Sequence, residues 1–488
     1  MTETDLKSIL KDPGLLAEKA YIGGTWVDGD NGTFEVVNPA RGDVIANVAD
    51  LSRAQVAHAI AGARAAQKDW AQWTGKERAA VLRRFFELMM ENQHDLGVIL
   101  TAEQGKPLAE AKGEIAYGAS FIEFFGEEAK RIYGETIPGH QRDKRISVIK
   151  QPIGVVGSIT PWNFPTAMIT RKAGPALAAG CAFIGRPASE TPLSATALGV
   201  LAARAGIPAG VFNIVPSTED AEVGKEFCET PGIRKLTFTG STQVGRILLR
   251  QAADQVLKCA MELGGNAPFI VFDDADLDAA VEGAIMCKFR NNGQTCVCAN
   301  RIYVQSGVYD AFAAKLKTAV EKLKVGDGLE EGTTLGPLIN AAALDKVQEH
   351  VADATAKGGS VILGGAKDAE GLFVPPTIVT GATRDMAFST EETFGPVAPL
   401  FRFEDVDDVI ELANDTIFGL ASYFYANDLS RVTKVAEALE YGIVGVNTGI
   451  ISTELAPFGG VKQSGLGREG SHHGIDEFLE MKYVCTSV

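Results

Sequence analysis

Two side chains in this 488-residue sequence have surroundings suited to chemistry on a carbonyl group. The first is Cys296, in the segment Asn291-Asn-Gly-Gln-Thr-Cys-Val-Cys298. A solitary cysteine is usually a small buried hydrophobe. This one follows a polar, glycine-containing stretch unlike a core strand, and polar neighbours with access are what a reactive thiol needs. The second is Glu262, in Met261-Glu-Leu-Gly-Gly-Asn-Ala-Pro268. A carboxylate between apolar residues and a double glycine is partly desolvated, which raises its pKa toward the range useful to a general base. By itself, that segment reads more readily as a solvated charge at a strand end.

Other constellations are weaker. Cys296 and Cys298 together invite a metal, but no further Cys or His pair stands at ligand spacing. The six histidines are scattered or near the end of the chain, so no metal site is expected. A Cys–His protease pair lacks support for the same reason. Gly240-Ser-Thr-Gln-Val-Gly245 follows a strand-like run and opens a helical one. Glycines there let backbone N–H groups approach a phosphate at a helix N-terminus. The full G-x-G-x-x-G fingerprint is missing, and a plain strand–helix turn fits as well.

The elements that must carry these residues show in the periodicity. Apolar residues at three- and four-residue spacing predict helices over 53–73, 75–96 and roughly 104–132, with Thr74 as an N-cap and Glu77 completing its capping box. From about residue 152 short β-branched runs predict strands at Val155–Thr160, Ala182–Gly185, Val211–Val215, Lys235–Thr239 and Phe269–Phe272. Helical patterns at Ala167–Ala179, Leu193–Ala205 and Gln243–Asp254 fill most gaps. This alternation predicts an α/β fold with parallel sheets, whose ligands sit at the carboxyl ends of the strands. Pro161–Pro165, Arg186–Pro192 and Gly240–Gly245 stand at such ends. A second α/β stretch follows, with helices over 275–290, 308–324, 341–357, 404–414 and 429–439 and strands over 301–305, 420–426 and 443–447. A strand-like stretch at Lys482–Val484 lies near the end.

The net charge of −16 argues against nucleic-acid and anionic-membrane partners, which need a basic surface. It also means that any anionic ligand must meet positive charge concentrated locally. Seven cysteines, few for the length and odd in number, suit a reducing compartment. The opening MTETDLKSILKDPG has no apolar core, and no run of 18 apolar residues occurs, so a cytoplasmic protein is expected.

Read together, six segments resemble the aldehyde dehydrogenase superfamily essentially from end to end. They are Pro161-Trp-Asn-Phe-Pro165, Phe238-Thr-Gly-Ser-Thr242, Glu262-Leu-Gly-Gly265, Gly293-Gln-Thr-Cys296, Glu391-Glu-Thr-Phe-Gly-Pro396 and Pro457-Phe-Gly-Gly460. Within it, the likeness is greatest to the bacterial cytosolic succinate-semialdehyde branch. Ala167-Met-Ile-Thr-Arg-Lys-Ala173, Lys288-Phe-Arg-Asn291, Cys296-Val-Cys-Ala-Asn-Arg301, Gly449-Ile-Ile-Ser452 and Gly465-Leu-Gly-Arg-Glu-Gly-Ser471 carry it. The resemblance implies a Rossmann-type dinucleotide-binding domain over 1–130 and 153–262 and an α/β catalytic domain over 263–464. It also implies a small β oligomerisation element over 131–152 and 465–488, and a homo-oligomer built as a dimer of dimers.

It further implies a mechanism in which Cys296 attacks the aldehyde and Asn163 with the Cys296 backbone N–H stabilises the oxyanion. Glu262 then activates water against the thioester, and Lys172 helps to relay the proton. Thr160, Trp162, Asn163, Arg186, Ser189, Gly240, Ser241, Gly245, Leu263, Glu392 and Phe394 match cofactor contacts, and Arg171, Arg290 and Ser452 match substrate contacts. Arginine's planar fork suits a carboxylate. Two arginines in an apolar tunnel are costly without an anion, so an aldehyde with a distal carboxylate answers the charge problem. The alternative is that both arginines serve structural salt bridges. Succinate semialdehyde is the expected substrate. The alternatives are glutarate semialdehyde, since one methylene is worth only about 1–3 kcal/mol in a pocket, and a broader range of aldehydes oxidised by the same mechanism.

One departure concerns the cofactor. The family usually has Lys-Pro-Ala where this chain has Arg186-Pro-Ala, and Ser189 stands where NAD-preferring relatives carry Glu. A neutral residue there spares a 2′-phosphate the repulsion an acid would give, so NADP is expected in preference to NAD, although Glu190 is adjacent. Cys298 is a redox candidate that could form a disulfide with Cys296. Two rival functions share the fold: a catalytically silent structural protein, as in lens crystallins of the superfamily, and a thiol esterase.

Overall fold

The computed structural model describes residues 6–365 and 369–488. Its N-terminal helices start where side chains satisfy their free N–H groups. Ser52 and Thr74 each accept from the backbone three residues on, and Gln55 and Glu77 return a bond to the cap's own N–H. These capping boxes open the helices Arg53–Trp70 and Gly75–Glu91. The pattern read over 75–96 breaks at Asn92, and a separate helix runs Gln93–Gln104. Gly105, at φ 94°, ends it, and Pro107 precedes the long helix Leu108–Glu128, which therefore begins later than its periodicity predicted.

Five parallel strands form the heart of an eight-stranded sheet, in the order Lys258–Glu262, Ile233–Thr239, Val155–Ile159, Ala182–Arg186 and Phe212–Ile214. The hairpin Ala20–Ile22 and Thr25–Val27 covers one edge. The two-residue strand Gly465–Leu466 lies antiparallel on the other, against Met261 and Glu262. The run at Phe269–Phe272, read with this series, opens a second sheet instead, as the strand Ala267–Val271. The strand it displaces from the first sheet is Lys258–Glu262, which ends on the candidate base.

The second sheet has seven strands, in the order Ser360–Leu363, Thr377–Ala382, Val397–Phe403, Ala299–Gln305, Ala267–Val271, Ala421–Tyr425 and Ile443–Val446. Only its first pair is antiparallel. Both faces are covered, so the central strands are buried along their length. The third sheet is small and exposed. Leu479–Ser487 runs antiparallel to Lys144–Pro152 over its whole length, and Glu135–Ile137 pairs with the other side of Lys144–Pro152. No helix among the described residues is long and apolar enough to cross a membrane.

Candidate active site

The candidate residues converge between the two large sheets. Asn163 sits in the turn after Val155–Ile159, just before Pro165 starts the fully buried helix Pro165–Ala179. Glu262 ends the strand Lys258–Glu262, two places along the same sheet, and its backbone carbonyl accepts from Gly240 N–H at 3.0 Å. Cys296 follows a short 3-10 turn, Arg290–Gly293, with a left-handed run at Asn291 (φ 50°), Asn292 (54°) and Gly293 (75°). Asparagine tolerates that region better than most residues. A Cβ on Gly293 would lie 2.2 Å from the Gly395 carbonyl. The loop is tied down by Gln294, whose Oε1 accepts from Ile339 N–H at 3.0 Å, and by Asn292, whose amide donates to Gly336 O at 2.8 Å.

The double glycine after Glu262 has a packing reason. A Cβ on Gly265 would stand 2.5 Å from the Cys296 carbonyl, and one on Gly264 would stand 3.2 Å from a Glu392 carboxylate oxygen. Three loops can therefore meet in one place. Between them lies a cavity of about 240 Å³, walled by Trp162, Asn163, Met168, Thr239, Gly240, Ser241, Leu263, Cys296, Glu392 and Phe394, among others. Ser241 caps the helix Thr242–Ala252, accepting from Val244 N–H at 3.2 Å. Gly245 packs so closely that a Cβ there would fall 2.5 Å from Leu263. Glu392 accepts from Gly265 N–H at 3.2 Å, and burial lifts its pKa to about 7. Phe394, at φ 55°, meets Trp162 edge-on at 5.5 Å.

Burial dominates the electrostatics. Burial pushes the Cys296 thiol up to about 12, with the Glu392 and Glu262 charges adding and Arg171 opposing. Glu262, 5% exposed, is raised well above the ordinary carboxylate range by burial and by Glu469, against the pull of Arg171, Lys172 and Arg468. Its Oε2 has no hydrogen-bond partner among the described residues. Asn163 donates one amide hydrogen to the Gln294 carbonyl at 3.1 Å, which leaves the other free. Thr160 is buried and donates its N–H to the Arg186 carbonyl.

Lys172 is fully buried and donates to Thr239 Oγ1 at 2.6 Å and to Glu469. Arg171, 3% exposed, lies 2.7 Å from the other Glu469 oxygen. The salt-bridge alternative for Arg171 is thus realised, though incompletely. Its Nε and Nη2 make no directed hydrogen bond, and the guanidinium lies 4.1 Å from the Phe458 ring centre. Burial acts to raise Glu469, but Lys172 and Arg171 outweigh it and hold the carboxyl below its ordinary value. Arg290 has no carboxylate within salt-bridge distance among the described residues and faces the Phe164 ring at 5.2 Å. Tyr117 has a buried hydroxyl without a partner, within electrostatic reach of Arg171, Arg290 and Cys296. Ser452 is half-buried in the loop after Ile443–Val446.

Other expected residues lie apart. The Arg186 guanidinium bonds to Asp220 and to the Ser217 carbonyl. Ser189 leans on Glu190 at 3.4 Å and lines a separate cavity of about 490 Å³ that also holds Glu35 and Glu103. Cys298 is buried, accepts from Thr295 Oγ1 at 3.1 Å and donates to the Lys288 carbonyl at 3.5 Å. It would have to leave both partners to reach Cys296. Glu469 and Tyr117 are two further functional candidates that sequence reasoning misses. Glu469 lies in Gly465-Leu-Gly-Arg-Glu-Gly-Ser471, and nothing in linear order joins it to Arg171 and Lys172.

Comparison with known proteins agrees with this geometry. The family model described as "Aldehyde dehydrogenase family" matches residues 26–484. A glutarate-semialdehyde dehydrogenase of Pseudomonas putida is 64% identical over 480 residues, covering 98% of this chain and 100% of that protein. A succinate-semialdehyde dehydrogenase [NADP(+)] of Escherichia coli is 62% identical, covering 98% and 99%. The crystal structure of an aldehyde dehydrogenase from Brucella melitensis biovar abortus superposes with a TM-score of 0.97 at 59% identity, covering 98% of this chain and 99% of that one.

Proposed function

The chain belongs to the aldehyde dehydrogenase family, and from that premise we propose that it oxidises succinate semialdehyde to succinate, with NADP preferred to NAD as hydride acceptor. The observation that carries the substrate is a surplus of positive charge beside Cys296. Glu469 is shared by Arg171 and Lys172, so one carboxylate serves two buried cations. Arg290 adds a third cation with no carboxylate at salt-bridge distance. Buried guanidinium N–H groups without directed bonds are costly unless a ligand supplies acceptors. A distal carboxylate, held by Arg171 and Arg290 with Ser452 nearby, supplies them. Glutarate semialdehyde is a second reading, favoured by the 64% identity to a dehydrogenase of that name.

The cavity fits a nicotinamide dinucleotide. Ser241 and Gly245 open a helix toward it, Gly245 leaves no room for a side chain beside Leu263, and Glu392 presents a buried acceptor suited to a ribose hydroxyl. Trp162 and Phe394 would flank the ring, and Thr160 the strand end behind it. When bound, the cofactor supplies the hydride acceptor. Cys296 loses its thiol proton to solvent, and the thiolate sulfur attacks the aldehyde carbon. The second Asn163 amide hydrogen and the Cys296 N–H hold the resulting oxyanion, each such donor being worth about 3–4 kcal/mol. The acyl group left on Cys296 is a thioester. Glu262 deprotonates the water that hydrolyses it, and Lys172 with Glu469 offers the proton a buried route away. A base so placed favours a free acid over transfer to another acyl acceptor.

The fit is less direct at the adenosine end, where Arg186 is engaged by Asp220. Neutral Ser189 and the NADP in the name of the Escherichia coli relative support the preference. Four exposed apolar residues of the small sheet, Ile137, Ile149, Met481 and Tyr483, support an oligomer built through it, as a dimer of dimers. The test is steady-state kinetics of the wild type and Cys296→Ala with succinate semialdehyde, glutarate semialdehyde and butyraldehyde, each with NADP and NAD. The wild type should favour the two charged aldehydes and NADP, and the variant should be inactive while still binding cofactor. Equal kcat/KM for butyraldehyde and the semialdehydes would refute the substrate assignment. Activity within about tenfold of wild type in Cys296→Ala would refute the mechanism.

A further inference from the structure

We propose that Lys106, Glu114 and Asn291 form a polar clamp that fixes the Asn163 loop against the Cys296 loop, and so act as positioning residues for the oxyanion site without touching substrate. Lys106 and Glu114 are each 1% exposed at the side chain and pair at 2.6 Å. A buried ion pair is expensive to desolvate and is a poor source of stability, so its other bonds are informative. All of them run to the catalytic loop. Lys106 Nζ donates to the Asn163 carbonyl at 2.7 Å and lies 3.8 Å from the Phe164 ring centre. Glu114 Oε1 accepts from Thr166 and Ala167 N–H at 3.0 and 3.2 Å. Those are free donors in the first turn of Pro165–Ala179, the helix that carries Arg171 and Lys172.

Asn291 closes the clamp from the nucleophile's side. Its amide donates to the same Asn163 carbonyl at 3.1 Å and to the Gln294 carbonyl at 3.2 Å. Gln294 O is also the acceptor for the Asn163 side chain. Asn163 is therefore gripped at its backbone by Lys106 and Asn291, and at its side chain by the loop that Asn291 begins. Glu110, one turn before Glu114, accepts from Asn291 N–H at 2.8 Å. One helix start thus holds both loops with carboxylates. Lys106 and Asn291 lie 57 and 128 residues from Asn163 in the chain. These tertiary bonds contribute to the register between donor and thiol, and catalytic groups need placement to within about 0.5 Å.

The proposal rests on Asn163 and Cys296 being the oxyanion donor and the nucleophile. Asn291→Gly keeps a backbone able to hold φ 50° and deletes only the amide, so it avoids the folding risk of Lys106→Met. The measurement is the burst rate of reduced cofactor, with cofactor Kd and iodoacetamide labelling of Cys296 alongside. Asn291→Gly should slow the burst about 10- to 100-fold, with cofactor Kd and labelling rate within about twofold of wild type. Lys106→Arg should restore much of what Lys106→Met loses. In an Asn163→Ala background, Asn291→Gly should have little further effect, because the clamp acts through Asn163. A normal burst in Asn291→Gly beside a slow one in Asn163→Ala would overturn the clamp alone. So would a full additional loss in the double variant. A normal burst in Asn163→Ala would overturn the clamp and the oxyanion assignment together.

Discussion

Burial raises the pKa of both Glu262 and Cys296, so each is a stronger base or nucleophile once its proton is lost. In Glu262→Gln the thioester should form and then persist, giving a burst of reduced cofactor followed by slow turnover. A lost burst with the thiol still reactive would point to a different role. The same burial has a stability sign. A carboxyl whose folded pKa exceeds its unfolded one holds its proton more tightly when folded, so folding loses stability as pH rises above the unfolded value. Glu262→Gln should therefore melt above the wild type in alkaline buffer, and the gap should close as pH falls toward the ordinary carboxylate range. Melting curves that stay parallel across that range would contradict this. Arg171→Ala should raise KM for succinate semialdehyde about 10- to 100-fold and leave that for butyraldehyde nearly unchanged; equal rises would show that Arg171 serves Glu469 alone. In the sequence Cys296 stands out by a polar, glycine-containing segment unlike a core strand, whereas Glu262 by itself reads as a solvated charge at a strand end and is legible only through the family resemblance. Glu469 is not legible, because its meaning lies in the two cations it meets across the fold. Arg186 was read too simply, since its partner Asp220 lies in a helix with no motif to mark it.

At the scale of elements, the strand–helix turns place the site, and a glycine decides one of them. Gly245 stands in the first turn of Thr242–Ala252, where a Cβ would collide with Leu263, which lines the cavity. Gly245→Ala should push Leu263 inward and weaken cofactor binding about tenfold, while leaving iodoacetamide labelling of Cys296 unchanged. A cofactor titration that matches the wild type would show that Leu263 yields without narrowing the site. Most helices were legible from apolar spacing and caps, Thr74 with Glu77 being the clearest. The strands Thr377–Ala382 and Val397–Phe403 are hidden in the sequence because Gly381 and Pro399 interrupt their apolar runs, and Gly381 falls where the register shifts between Val379 and Ala382. Lys258–Glu262 was passed over because a lysine and a glutamate bound a run of only three less polar residues.

For the molecule as a whole, the small sheet is the feature that leaves apolar side chains exposed. Met481 is 73% and Tyr483 60% exposed on a strand that lies along Lys144–Pro152. Deleting 479–488 should uncover the Lys144–Pro152 edge, and if the proposed dimer of dimers forms through this sheet, light scattering should then show smaller species or aggregates than the full chain gives. An unchanged particle mass would exclude that strand from the interface. The pair of Lys172 with Glu469 has a different kind of consequence, one of timing. The two residues are 297 positions apart. At about 5–20 residues per second, a ribosome takes some 15–60 s to pass from one to the other. Throughout that interval Pro165–Ala179 carries two cations without their salt-bridge partner Glu469, and the edge of the first sheet waits for Gly465–Leu466. The nascent chain cannot close its N-terminal half as it emerges. That half should stay protease-sensitive and attractive to chaperones until the last stretch is made, so the carboxylate that pairs with Arg171 and Lys172 should also time the end of folding.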